Sequence, residues 1–175
     1  MTGTTKQLTL GALFLALGVL FPVLFHAAWL GGVFLPMVWP VAAAGFFLSL
    51  SFCVLVGILT PLLSFLLTGM PPAVPQVLQV MIPELTVLAV LVCLLYRNAR
   101  VAIWPSLFFG LLASRAVLFF SAGILGTTLG LPSRWASAAA LAKSVPGVFA
   151  ILILVPPLIG RLLHEPLFLR RRPDA

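Results

Sequence analysis

Long apolar runs separated by short polar or proline-rich breaks dominate the pattern of hydrophobic positions along this chain. A helix that crosses a bilayer needs about 20 consecutive, mostly apolar residues. The runs have about that length, and the chain leaves no room for a sizeable soluble domain. The pattern therefore predicts an all-α membrane protein, a single bundle of six transmembrane helices at residues 8–25, 34–48, 52–68, 77–96, 101–124 and 135–159.

Three breaks in the hydrophobic pattern indicate where predicted spans end or bend. The apolar stretch of residues 34–68 is too long for one span, and its least hydrophobic point, Leu48 to Ser51, predicts a tight turn. The segment TGMPPAVPQ after span three predicts a rigid, non-helical loop, because proline lacks the backbone donor and restricts the residue before it. Pro146 and the Pro156–Pro157 pair predict a bend or an interruption in span six.

Composition supports the membrane prediction and excludes most soluble functions. Of the 175 residues, 62% are hydrophobic and 7% are charged, whereas a soluble domain carries about 25% charged residues. We find no catalytic or nucleotide-binding motif, and the chain has only three acidic residues; we therefore expect no enzyme and no cofactor. Cys53 and Cys93 show no metal-ligand spacing and are expected to be buried as small apolar side chains.

The ten basic residues predict the orientation. In membrane proteins the cytoplasmic loops carry an excess of Lys and Arg, which is the positive-inside rule. This rule explains the net charge of +7 better than binding to nucleic acid does, because the basic residues lie at the ends of the spans. With six spans, only Arg134 falls on the side opposite the termini. Seven fall on the same side as the termini, which we therefore place in the cytoplasm: Lys6, Arg97, Arg100, Arg161, Arg170, Arg171 and Arg172.

Three ionisable residues fall inside the predicted spans: Glu84, Arg115 and Lys143. A charge at membrane depth is costly, so such residues are candidates for a functional site. Counted from the predicted span ends, they lie roughly 10, 14 and 12 Å below the outer surface at 1.5 Å per residue. This common depth on consecutive spans predicts one polar pocket. The alternative is an internal ion pair that fastens helices, with Glu84 bound to Arg115 or Lys143.

Other polar and aromatic residues near the outer ends of the spans are further candidates for substrate binding. Gln76 and Gln79 begin span four and either bond a ligand or cap the helix. His26 lines a pocket entrance or simply lies at the interface. Trp135 stacks on a ligand ring or belongs to the belt of aromatic residues at the membrane surface. Ala12 and Ala16 form a small-xxx-small pair in span one, a pattern that marks helix contacts, either within the bundle or with another protein.

These features together resemble the substrate-binding S components of energy-coupling factor (ECF) vitamin transporters, over nearly the whole chain. The resemblance rests on the Ala12–Ala16 pair, the proline-rich outer loop, and polar residues in spans four to six. The segments TPLLSFLLTGMPP (residues 60–72) and MIPEL (residues 81–85) are similar to members that handle vitamin precursors. One departure is the sequence LSLS at residues 48–51, where many members have a Gly-Pro turn.

The resemblance implies a mechanism and partners. Such a component binds a vitamin or precursor from outside a prokaryotic cell, using outer loops and helices four to six. It docks through the small-residue face of span one onto a coupling membrane subunit driven by two ATPases, and topples in the bilayer to release its substrate. Two other classes stay open: a self-sufficient small transporter or channel, and a structural scaffold whose charges only fasten helices.

Overall fold

The computed structural model describes residues 3–27, 34–71, 77–129 and 138–164, and these residues contain six helices and no strand. Five helices are long and apolar enough to cross a membrane, so the predicted all-α membrane bundle is confirmed. The helices are α1 (Gly3–Ala27), α2 (Val38–Phe47), α3 (Leu50–Thr68), α4 (Val77–Cys93), α5 (Ile103–Leu129) and α6 (Ala138–His164). A π-helical turn, Leu94–Asn98, continues α4.

Apolar side chains cover the outside of the bundle as well as its core. Leu66 and Leu67 on α3 are 74% and 72% exposed, and Phe120 on α5 is 68% exposed. A soluble protein rarely leaves an apolar surface of this extent in water, whereas lipid tails accept it. Helix α4 lies at the centre, packed against α2, α3 and α5. This arrangement makes α4 the helix whose polar residues are best shielded from lipid.

Helix α2 is shorter than the sequence predicts. It has 10 residues, or about 15 Å at 1.5 Å per residue, against a hydrocarbon core of about 30 Å. Its start is delayed because Pro36 has no N–H to donate and Leu35 is in the left-handed region, with φ of 51°. Within the predicted span 34–48, the helical conformation is broken from Leu35 to Met37, and α2 covers only Val38–Phe47.

The non-helical turn before α2 keeps its backbone groups bonded. Val38 N–H donates to Leu35 O at 2.9 Å, and the indole Nε1 of Trp39 donates to Phe34 O at 2.8 Å. Such bonding is needed because an unpaired backbone group at membrane depth costs several kcal/mol. Trp39 therefore acts as a structural hydrogen-bond donor at this turn.

The tight turn between α2 and α3 lies where the sequence predicts it. Leu48 and Ser49 leave the helical conformation, and α3 begins at Leu50. The side chain of Gln7 on α1 holds this turn, because Nε2 donates to Phe47 O at 3.2 Å and Oε1 accepts from Ser49 N–H at 2.6 Å. The buried thiols of Cys53 and Cys93 also approach one acceptor, Leu48 O, at 3.7 and 3.5 Å.

Helices α5 and α6 differ from their predicted bounds. Helix α5 continues to Leu129 and α6 to His164, each five residues past the predicted span end. Pro146, Pro156 and Pro157 lie inside α6 and do not end it. Membrane helices tolerate proline because neighbouring groups satisfy the freed carbonyls, so the predicted interruption of span six is wrong.

The two ends of the described chain lie at one end of the bundle. Gly3 and Lys6 at the start of α1 line the same cavity as Leu163 at the end of α6. Arg97, after α4, and Ile103, at the start of α5, line it as well. Because these residues line one cavity, they serve as a common reference from which the position of a residue along α4, α5 and α6 can be counted.

Candidate functional site

A buried ion pair joins the two central helices of the bundle. Arg115 Nη2 on α5 pairs with Glu84 Oε1 on α4. The Glu84 side chain is 3% exposed and the Arg115 side chain is 14% exposed. Removing both charges from water is expensive, and their attraction offsets that cost only when they meet directly. Of the two partners that the sequence left open for Glu84, the structure therefore selects Arg115.

Counted along their helices, the two residues of the ion pair lie deep within the bundle. Glu84 is 13 residues from Arg97, and Arg115 is 12 residues from Ile103. At 1.5 Å per residue these separations place the two residues about 18–20 Å from the cavity end of the bundle. Half of a hydrocarbon core is about 15 Å. The two charges thus share one depth, as the sequence predicts.

Lys143 lies at a different depth from the ion pair. It is 20 residues before Leu163 on α6, or about 30 Å from the cavity end. The stretch of α6 that is long and apolar enough to cross a membrane begins at the next residue, Ser144. Counted in this way, the backbone of Lys143 is about 10 Å farther from the cavity end than the ion pair is, whereas the sequence predicts one depth for all three charges. The side chain of Lys143 lies outside the described atoms.

Apart from Arg115 Nη2, which pairs with Glu84, two buried side-chain atoms have no hydrogen-bond partner among the described residues. One is Nε of Arg115, and the other is the hydroxyl oxygen of Ser64 on α3. Unpaired polar groups are costly in a low-dielectric interior, so each is a place where a ligand or water would gain a hydrogen bond. Sequence reasoning missed Ser64. Its only signal is a single hydroxyl inside an apolar run, and hydroxyls of membrane helices commonly bond their own backbone.

Two other predicted binding residues, Gln79 and His26, have no recorded contact with this pair. Gln79 on α4 and His26 at the end of α1 are both exposed. Gln76 and Trp135 lie outside the described residues.

The small pair on α1 faces outward. Ala12 and Ala16 are exposed, whereas the buried positions of the helix are Gly11, Phe14, Gly18 and Pro22. Gly18 makes the close contact within the bundle, because a Cβ there would meet Thr60 Cγ2 at 2.5 Å. The pair therefore does not mediate packing within the bundle, and its contact is with lipid or with another protein.

Within the described ranges, no three His, Cys, Asp or Glu side chains come together as a group that would hold a metal ion. The charged chemistry at the centre of the bundle is that of one carboxylate and one guanidinium. Such a pair positions and neutralises charge. It also presents N–H donors to an incoming acceptor.

Three comparisons with known proteins give no match: no family model, no curated protein and no solved structure is similar to this chain. The assignment of function therefore rests on the residues and their geometry.

Proposed function

We propose that this protein is the substrate-binding S component of an ECF-type transporter, and that it imports a vitamin or vitamin precursor. The buried Glu84–Arg115 pair with its unpartnered Nε carries the proposal. A purely structural pair is best satisfied when every donor is used, whereas a binding site keeps a donor for its ligand. The resemblance of residues 60–72 and 81–85 to vitamin-precursor members supports the same class of function.

In this proposal a carboxylate or similarly electron-rich group of the substrate binds Arg115. The guanidinium has five N–H donors in a planar fork, so it can pair with Glu84 and with a second acceptor. Glu84, Arg115 and Lys143 together carry one net positive charge when all are ionised. Lys143, nearer the opposite face, attracts the anionic group as it enters, and Glu84 holds the guanidinium in place. Gln76, Gln79, His26 and Trp135 contribute to the entrance.

The test is a thermal-shift screen of the purified chain against vitamins and their precursors. A ligand at 100 times its dissociation constant stabilises the protein by about 2.7 kcal/mol. For the ligand found, Arg115→Ala is expected to weaken binding at least tenfold, which is about 1.4 kcal/mol. Lys143→Ala should weaken it less. Arg115→Lys keeps the charge and restores only part of the affinity, because an ammonium lacks the fork.

Arg161→Ala is the matched control, since Arg161 is exposed on α6, near the opposite end of that helix from Lys143. It should bind like the parent. Equal affinity of Arg115→Ala and the parent, in folded protein, would contradict a role for Arg115 in binding. A screen with no stabilising compound would count against the whole proposal.

The exposed Ala12–Ala16 face is the proposed docking surface for the coupling membrane subunit and its two ATPases. Small residues let helix backbones approach closely, and a bulky side chain prevents this. Ala16→Trp is expected to abolish assembly and transport while leaving substrate affinity unchanged, because the Glu84–Arg115 pair is on other helices. Pull-down with the coupling subunit and a binding assay on the same preparation measure both. Leu112→Trp, at a position that is 57% exposed on α5, is the control and should assemble normally.

We place the cavity end of the bundle in the cytoplasm of a prokaryotic cell. Both ends of the described chain lie at that end. The positive-inside rule supports this orientation, because Lys6, Arg97 and Arg100 lie at that end. In a variant without Cys53 and Cys93, a membrane-impermeant maleimide should label Met70→Cys in intact cells. It should label Asn98→Cys only after lysis. Both positions are exposed. The opposite result would reverse the orientation.

A structural scaffold is the second candidate, because the ion pair joins α4 and α5 directly. In that case the charges contribute to stability alone. Such a protein would bind no compound in the screen, and Ala16→Trp would leave every partner complex unchanged.

A further inference from the structure

A basic cavity opens at the end of the bundle where α1 begins and α6 ends. Its volume is about 1100 Å³, which is at the upper end of the range for small-molecule sites. Three cationic side chains line it: Lys6 on α1, Arg97 on the π-helical turn after α4, and Arg100 in the α4–α5 connection. Among the described residues that line the cavity, none is acidic. The described lining therefore contributes three basic side chains and no acidic one.

The Arg97 guanidinium is held in the wall of this cavity. Its Nη1 donates to Phe47 O at 3.3 Å, at the turn that Gln7 also braces. The π-helical turn that carries Arg97 is closed by the bond from Ala99 N–H to Leu94 O at 2.9 Å. Such turns are rare and are frequent at functional sites. The guanidinium has further N–H donors, so this fixed position prepares it for an acceptor in the cavity.

Arg100 occupies a backbone conformation that favours glycine. Its φ is 56°, in the left-handed region that is unfavourable for a residue with a side chain. The following Val101 N–H donates to Leu95 O at 2.9 Å, which resembles the cap that glycine usually forms at a helix end. An arginine at this position puts a cation at the cavity where glycine would suit the backbone better. Such an outlier points to a function of the side chain.

The rest of the lining is aromatic and apolar. Tyr96 and Trp104 lie beside the cations, and Trp104 is 54% exposed. Aromatic side chains of this kind are enriched where lipid headgroups meet the hydrocarbon. Leu10, Phe46 and Leu163 add apolar wall. The cavity thus presents cations and an apolar surface together at a membrane boundary.

We propose that this cavity binds the phosphate of an anionic membrane lipid. Several cations in one cavity repel one another, and a phosphate oxygen relieves that repulsion while accepting charge-assisted N–H bonds from arginine. Basic pockets between transmembrane helices are known to bind lipid headgroups in this way. Free phosphate has the same charge chemistry, but it leaves the apolar lining without a complement. The lipid is therefore the favoured source of the phosphate.

Native mass spectrometry of the full chain in a neutral detergent tests the proposal. Dioleoyl phosphatidylglycerol is the anionic probe, and dioleoyl phosphatidylcholine is the zwitterionic one. We expect one phosphatidylglycerol to bind at least tenfold more tightly than phosphatidylcholine. Arg97→Gln and Arg100→Gly should each weaken phosphatidylglycerol binding at least tenfold. Arg161→Gln is the matched control, because Arg161 is an exposed cation near the same end and is not among the lining residues; its effect should be below twofold.

Arg100→Gly also keeps the proposal testable if Arg97→Gln fails to fold. Glycine suits the left-handed backbone, so this variant should unfold at the parent's temperature or above while losing the lipid. Equal binding of the two lipids, or full binding by Arg100→Gly, would overturn the proposal. Displacement of phosphatidylglycerol by millimolar inorganic phosphate would also overturn it, since the site would then be one for a soluble anion.

Discussion

Replacing Glu84 with glutamine is expected to lower the free energy of unfolding by about 3–5 kcal/mol, the usual cost of removing one partner from a buried ion pair. The Arg115 guanidinium would remain at membrane depth with no carboxylate beside it. Both side chains are shielded, at 3% and 14% exposure, so solvent does not screen the loss. Reversible unfolding in mixed micelles, followed by circular dichroism, measures the change.

Two further variants separate the charge effect from general damage to α4. Gln79→Ala changes an exposed residue of the same helix and should shift the free energy of unfolding by less than about 0.5 kcal/mol. Replacing both partners by apolar residues, Glu84→Leu with Arg115→Met, should recover most of the stability, because no charge is then left buried. If Glu84→Gln were as stable as Gln79→Ala, the pair would contribute nothing to the fold.

Gly57→Ala is expected to be the most damaging single-methyl change in the helix contacts. A Cβ at Gly57 on α3 would lie 2.5 Å from Thr86 Cα and 2.9 Å from Thr86 N on α4. These are backbone atoms, so no side-chain rotation removes the clash and the two helices must separate. Overpacking of this kind costs typically 1–3 kcal/mol and occasionally more. Unfolding in mixed micelles should show a loss at the upper end of that range or above it.

Gly160→Ala on α6 is the matched control, because a Cβ there would meet nothing within 4 Å. It should leave the free energy of unfolding nearly unchanged, or raise it slightly through the higher helix propensity of alanine. Equal behaviour of the two variants would show that α3 and α4 do not approach at Gly57 as closely as the structure has them.

Hydropathy predicted the fold class because the bilayer allows so few solutions. Every backbone group must be bonded internally in lipid, so a long apolar run has to become a helix or pack within a bundle. The same reasoning located the turn at Leu48–Ser49, where two hydroxyl residues interrupt an apolar stretch. Helix ends were less predictable, as α5 and α6 show, because an apolar or proline-containing sequence continues a helix when its neighbours satisfy the backbone.

The candidate site was also predictable from the sequence only in part. Depth counted along the spans correctly brought Glu84 and Arg115 together, because helical rise is nearly constant. For Lys143 the predicted depth depends on where α6 begins, which hydropathy does not fix. Sequence reasoning treated Arg97 and Arg100 as orientation signals only. No sequence motif indicates that they line one cavity with Lys6. That arrangement depends on where the start of α1 lies relative to the connection between α4 and α5.

The sequence by itself determined that this chain lies in a membrane as a helical bundle, because backbone groups in lipid must be hydrogen-bonded within the protein. It also marked the few charges inside the spans as candidates for a function, because a charge at membrane depth is costly. Only the tertiary structure decided which charges meet. Glu84 pairs with Arg115 because α4 packs between α3 and α5. Ala12 and Ala16 face outward because Gly18 makes the contact of α1 with Thr60. Those choices depend on helix rotation and helix ends, which are set by contacts between residues far apart in the chain.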